Sequence, residues 1–170
     1  MSTESGMSPE IRRATTGDAA EIAEILTAAR AAQPWFPRLR TAEEDFVLVR
    51  DHILVEHDNC VVERHGRVVG FASIEGDDLL MHLFVHPEAQ RQGIGTELLE
   101  HTQRLLPDGF HLWTHQASEA CAFYEARGLV PVEFTDGSTT LEKLPDVRYE
   151  WRPESRPEAD SSDPVRSFLS

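Results

Sequence analysis

The strongest constraint on this chain lies in its middle third. Leu79–Val85 is a short apolar run closed by His86-Pro87. Ile94–Leu106 then carries Leu98, Leu99, Thr102, Leu105 and Leu106 at helical spacing before Pro107 and Gly109, and Phe110–Thr114 is apolar again. Strand, helix and strand in succession fix a topology. Two strands joined through a helix run parallel with a right-handed crossover, because a right-twisted strand brings its helix back onto the sheet only that way. The rest of the fold has to be built around this unit.

The flanking segments supply further strands and helices. Ile11–Ala14 reads as a strand, and Asp18 with Glu21 three residues on reads as a capping-box-like helix start. Ile22, Ile25, Leu26 and Ala29 form one apolar stripe of a helix ending before Pro34. Thr41 and Glu44 make a second capping box, followed by a helix lined by Phe46, Val49, Ile53 and Leu54. Cys60–Arg64 and Val68–Ile74 read as a hairpin about His65-Gly66. Ala120, Phe123, Tyr124 and Arg127 mark a short helix stopped by Gly128. Val130–Phe134 and Thr140–Lys143 flank the Asp136-Gly137 turn, and Val147–Trp151 adds a last strand. The pattern predicts an α/β layered domain over residues 10–151. Residues 1–9 and the Pro-, Ser- and charge-rich 152–170, ending near Phe168-Leu169, read as disordered tails.

Charge and composition narrow the partners. Thirty acidic against 16 basic residues give a formal net charge of -14, which disfavours nucleic acid and anionic membrane surfaces. The same field attracts cations, although an acidic surface also serves solubility. No apolar run approaches the roughly 20 residues of a membrane span, and the N-terminus has no secretory pattern. Two cysteines, Cys60 and Cys121, are too few for a disulfide framework, so a cytoplasmic setting is expected. The pairs His82/His86 and His111/His115 lie on or beside strands, where i and i+4 stand far apart, so no metal is expected.

The chemistry concentrates in Leu83–Leu99, where a strand ends, a short loop follows, and Gly93 and Gly95 open a helix. A helix start offers free N–H groups and positive potential, which suits phosphate. The segment lacks the lysine of a Walker loop, and Leu98 stands where the dinucleotide fingerprint needs its third small residue. A plain tight turn is the competing reading. The spacing of Val85, Pro87, Gln90, Gly93 and Gly95 (V-x-P-x-x-Q-x-x-G-x-G) resembles the acyl-CoA-binding motif of the GNAT superfamily of N-acyltransferases. Ala120–Leu129, A-C-A-F-Y-E-A-R-G-L, is similar to that family's A-x-x-F-Y-E-x-x-G-F segment, and Ile11–Asp18 to its first strand and helix start.

That resemblance implies a single α/β domain. Its mixed central sheet would have two splayed parallel strands and about four flanking helices. It implies acetyl-CoA as co-substrate, with the pantetheine arm along Leu83, Phe84 and Val85. The pyrophosphate would sit on the main-chain amides of Gln90, Arg91, Gln92, Gly93, Ile94, Gly95 and Thr96. Direct attack by a primary amine of a small molecule or peptide is the implied reaction, with Tyr124 as general acid. Relatives often have an acidic residue where this chain has Met81; His82 is the neighbouring candidate base, with Asp77 and Asp78, in a turn, as further options. The family's cofactor-contacting Asn is also missing; Ser118 either substitutes or caps a helix, and Gln116 lies nearby. Trp35 and Phe36 are candidates for the acceptor wall, or for plain core packing. Dimers are frequent in the family. A non-catalytic acyl-CoA-binding module is the alternative.

Overall fold

The computed structural model describes residues 10–153. The expected N-terminal tail and nearly all of the C-terminal one, with Phe168-Leu169, lie outside the described residues. Seven strands are present: β1 (Glu10–Arg13), β2 (Asp58–Arg64), β3 (Arg67–Glu75), β4 (Leu79–Val85), β5 (Phe110–His115), β6 (Val130–Thr135) and β7 (Asp146–Trp151). They form one sheet in the order β1-β2-β3-β4-β5-β7-β6. Every neighbouring pair is antiparallel except β4 and β5, the two strands joined through a helix. Four α-helices carry most of the packing: α1 (Ala19–Ala31), α2 (Ala42–Leu48), α3 (Ile94–Leu105) and α4 (Ala120–Ala126). The α/β architecture read from the sequence is therefore the one observed.

The sheet is buried on both faces. On one, Ile22, Ile25 and Leu26 of α1 and the following Val49 and Ile53 pack on Val61, Val68 and Phe71. On the other, Ile94, Leu98 and Leu99 of α3 and Tyr124 of α4 pack on Val62, Ala72, Leu112 and Tyr149. A buried side chain of this size contributes about 1.5–3 kcal/mol, so the two layers hold β4 firmly between them.

Two features shape β4. Ser73 pairs with His82 and Ile74 with Leu80, so Met81 is an extra, unpaired residue, a bulge that bends the strand. Beyond it Leu83 and Val85 join the α3 layer while Phe84 joins the α1 layer. Along its other edge β4 pairs with β5 only at Leu79↔His111, supported by the His111 N–H donating to the Asp78 carbonyl at 2.9 Å. Past that point β5 pairs with β7 along its whole length. The two parallel strands diverge into a wedge.

Several local expectations are corrected. Asp18 does not open α1 with Glu21. Its carboxylate accepts from the Thr15 N–H at 2.8 Å and holds the Arg12 guanidinium at 2.9 and 3.0 Å. Glu21 instead accepts from the Val68 N–H. Leu105 faces outward, because α3 turns past the core in its last turn. Thr140–Lys143 forms no strand; it belongs to a loop tied by the Thr140 hydroxyl to the Gly137 carbonyl, and β6 pairs with β7 instead. The helix after Thr41 widens into a π turn over Val49–Ile53, while its capping box is formed as expected.

Gly70 on β3 sets the seat of α3. A Cβ there would stand 2.9 Å from Ile94 Cγ2, 3.2 Å from Leu98 Cδ1 and 3.3 Å from the Phe84 carbonyl oxygen. Gly70→Val is expected to destabilise the fold by about 1–3 kcal/mol through overpacking. A denaturant midpoint unchanged from the parent's would show that α3 does not rest on this contact.

Candidate functional site

The wedge and the loop at its head form the site. After β4 the His86 N–H continues the ladder to the Val69 carbonyl at 2.8 Å, and Pro87–Ala89 makes one 3-10 turn. The chain then winds through Arg91 at φ +66° and Gly93 at φ +82° into α3. Left-handed residues in such a loop turn successive amides toward one concavity. Among the described residues, no acceptor is found for the main-chain N–H groups of Gln90 through Thr96, and the first helical bond is Glu97 N–H to the Gly93 carbonyl at 3.0 Å. A concavity of this form is suited to an anion.

The two glycines do different work there. A Cβ on Gly93 would meet nothing within 4 Å, so its requirement is conformational: φ +82° is costly for any residue with a side chain. Gly95 is required by packing, since its Cβ would stand 3.3 Å from the Phe123 ring of α4. Three arginines surround the loop, of which only Arg91 was singled out from the sequence. The Arg127 Nε donates to the Thr96 hydroxyl at 3.0 Å, and its guanidinium lies 4.0 Å from the centre of the Phe123 ring. Arg64 donates to the Gln92 side chain. The i to i+4 spacing of Phe123 and Arg127 was a readable signal; nothing local marked Arg64, which reaches the loop from β2.

Along the wedge, Leu83 and Val85 face α3. The Val85 carbonyl accepts from the Gln90 side-chain amide at 3.3 Å. Tyr124 is buried on the same side, its ring 5.3 Å from Phe123 and 6.0 Å from Tyr149. Its hydroxyl makes no hydrogen bond among the described residues, and burial raises its pKa above the ordinary phenol value. Ser118 caps α4, accepting from the Ala120 N–H at 3.0 Å. Gln116 donates to the Thr135 and Asp146 carbonyls and is committed to the sheet.

His82 lies on the opposite face, half-buried, its ring 6.1 Å from Phe71 and from Phe84 and 6.5 Å from His57. Its Nδ1 is buried without a partner among the described residues. Burial first, then Arg30, His57 and Arg40, push its pKa down to about 3. The imidazole is neutral, and it is a far weaker base than an alkylamine of pKa about 10. A resident base at His82, as the sequence suggested, does not fit these surroundings.

Trp35 and Phe36 pack on His115 at the end of β5, each ring centre 5.5 Å from the imidazole. The α1–α2 loop therefore reaches across to β5. The Arg30 guanidinium joins it to β4, 5.4 Å from the Phe36 ring centre and 5.8 Å from that of Phe84. This closes one side of the wedge mouth with aromatic surface. Arg30, the half-buried Glu142 and His57 were not anticipated, since only the tertiary fold brings them here.

Comparison with known proteins agrees with this geometry. The family model described as acetyltransferase (GNAT) domain matches residues 52–130, which hold the wedge, the loop and α4. The curated peptidyl-lysine N-acetyltransferase YiaC of Escherichia coli (strain K12) is 39% identical over 82 residues, covering 48% of this chain and 56% of that protein. The chain thus spans little more than half the length of that relative. A GCN5-related N-acetyltransferase structure from Rhodopseudomonas palustris superposes with a TM-score of 0.72 at 22% identity, covering 85% of this chain and 96% of that one. The yncA structure from Salmonella typhimurium with its cofactor acetyl-CoA gives 0.65 at 20% identity, covering 89% and 96%. At such identities the structural matches establish the fold.

Replacing Gly93 by Val forces a β-branched residue into a left-handed conformation costing about 1–2 kcal/mol. Acetyl-CoA affinity is expected to fall up to about tenfold in calorimetry, and Arg127→Ala to weaken it as well while reducing its salt dependence. Undiminished affinity in both variants would remove the loop from the binding site.

Proposed function

We propose that the chain is an acetyltransferase of the GNAT superfamily, whose domain model matches residues 52–130, and that it transfers an acetyl group from acetyl-CoA to a primary amine by direct attack, with residues 10–151 as the catalytic domain. The observation that carries this reading is the wedge between β4 and β5 headed by a loop of free amides. An extended thioester arm adds to the open edge of β4 as a strand would, on Leu83, Phe84 and Val85. The amides of Gln90 to Thr96 take the diphosphate, with Arg91, Arg127 and Arg64 as flanking charge.

The residues then divide the chemistry. A main-chain N–H beside the Met81 bulge is positioned to stabilise the oxyanion, which needs a preorganised donor. Tyr124 remains protonated throughout the physiological range, so its hydroxyl has a proton to offer the departing thiolate. His82 acts as a neutral acceptor that orients the amine, and the amine's proton leaves to solvent. The acceptor enters past Trp35 and Phe36. A lysine of a peptide, the acceptor type in YiaC's name, and a small-molecule amine are the two classes to compare. Met81, in place of an acidic residue, and the missing Asn are the features favouring the second reading, a module that binds acyl-CoA without turnover.

Release of free CoA over a panel of amines decides between them; tight acetyl-CoA binding with no release on any amine would favour the module. Tyr124→Phe is expected to lower kcat about 10²–10⁴-fold with little change in acetyl-CoA affinity.

The pH profile has a definite sign. His82 titrates near 3 and Tyr124 above its ordinary value, so neither changes charge between pH 6 and 9. kcat/KM is expected to rise throughout that interval as the acceptor amine loses its proton. An inflection near 6.5 that disappears in His82→Gln would restore His82 as the base.

A further inference from the structure

We propose that the acceptor is a small primary amine that also carries a carboxylate, and that Arg30 holds that carboxylate. The inference rests on the transferase reading above and names its substrate class. Between α1 and the loop that follows it lies a cavity of about 210 Å³, bounded among others by Thr27, Arg30, Phe36, Pro37, Arg40 and Asp45. Its one acidic lining group is already satisfied: Asp45 is buried, accepts from the Thr27 hydroxyl at 2.6 Å and pairs with the Arg40 Nε at 3.0 Å. Arg30 has no such partner. Among the described residues its guanidinium makes no hydrogen bond or ion pair and lies over the Phe36 and Phe84 rings.

A half-buried guanidinium that no carboxylate contacts directly is poorly compensated. Burial already draws its pKa below the ordinary arginine value. Aromatic contact leaves the in-plane N–H fork free, which is the geometry that receives a carboxylate through two parallel hydrogen bonds. This fork stands between Phe84 on β4 and Phe36, which touches β5 through His115, so a carboxylate there leaves the other end of a short molecule at the wedge. Glu142, on the β6–β7 loop, lies within electrostatic reach of both Arg30 and His115 and makes no ion pair among the described residues. A zwitterion also carries no net charge against the protein's -14.

The test uses the full chain saturated with CoA. Glycine, leucine and phenylalanine are each titrated calorimetrically as free amino acid, amide and decarboxylated amine, alongside a lysine peptide free of acidic residues. At least one free acid is expected to bind about tenfold or more tightly than its amide and amine. Arg30→Met should abolish that preference, and Arg30→Lys should keep part of it. No preference in any series, no binding by any free acid, or a preference that survives Arg30→Met overturns the inference, as does stronger binding of the lysine peptide. CoA release from acetyl-CoA is measured in parallel on the same amines. Release from none of them, with the Arg30-dependent preference intact, removes the transferase reading and leaves the carboxylate site standing. Release from neutral amines unaffected by Arg30→Met does the reverse.

Discussion

The structure turns on where one strand stops pairing with its neighbour. β4 and β5 meet at Leu79 and His111 and part immediately. β5 can leave because β7 holds it along its other edge from Phe110 to His115, and β4 can leave because β3 and two packed layers hold it from its other edge and both faces. An open β edge inside a protein is normally a liability. Here it is confined to the depth of one cleft, and the bulge at Met81 turns the strand just as it enters that cleft.

The strand-helix-strand unit, the two-layered core and the glycine loop were legible because each depends on local pattern: apolar periodicity, caps and punctuation by Gly and Pro. The loop's amides needed no side-chain information to be foreseen. What could not be read was anything produced by strands distant in sequence lying side by side. Arg64 reaches Gln92 only because β2 pairs with β3, and Arg30 meets Phe84 only because α1 packs across β4. The surroundings of His82 were out of reach for the same reason. An isolated imidazole suggests a base near neutrality, whereas burial among Phe71, Phe84 and three cationic or imidazole neighbours does not. Asp18 misled through its neighbours in sequence, since Arg12 and Thr15 claim its carboxylate before Glu21 can act with it.

Charge is distributed unevenly on this molecule. The chain carries 30 acidic residues, yet the loop at the wedge head is flanked by Arg64, Arg91 and Arg127, and the neighbouring cavity presents Arg30 with its only acid neutralised. At 0.1 M ionic strength fields fade over about 10 Å. A ligand inside the cleft therefore experiences these arginines more than the distant acidic surface. Whole-chain charge was a poor guide to the site.

Helix α4 is only seven residues long, yet Phe123 rests on Gly95, Arg127 reaches Thr96 and Tyr124 is embedded in the core between them. None of these three residues is free to change for one purpose alone. A bulkier group at position 95 would have to be matched by a smaller one at 123, and the altered backbone would carry Tyr124 with it. Loop and helix are therefore tied to drift together or not at all, so a swap of either segment between related proteins should succeed only when both are moved as a pair.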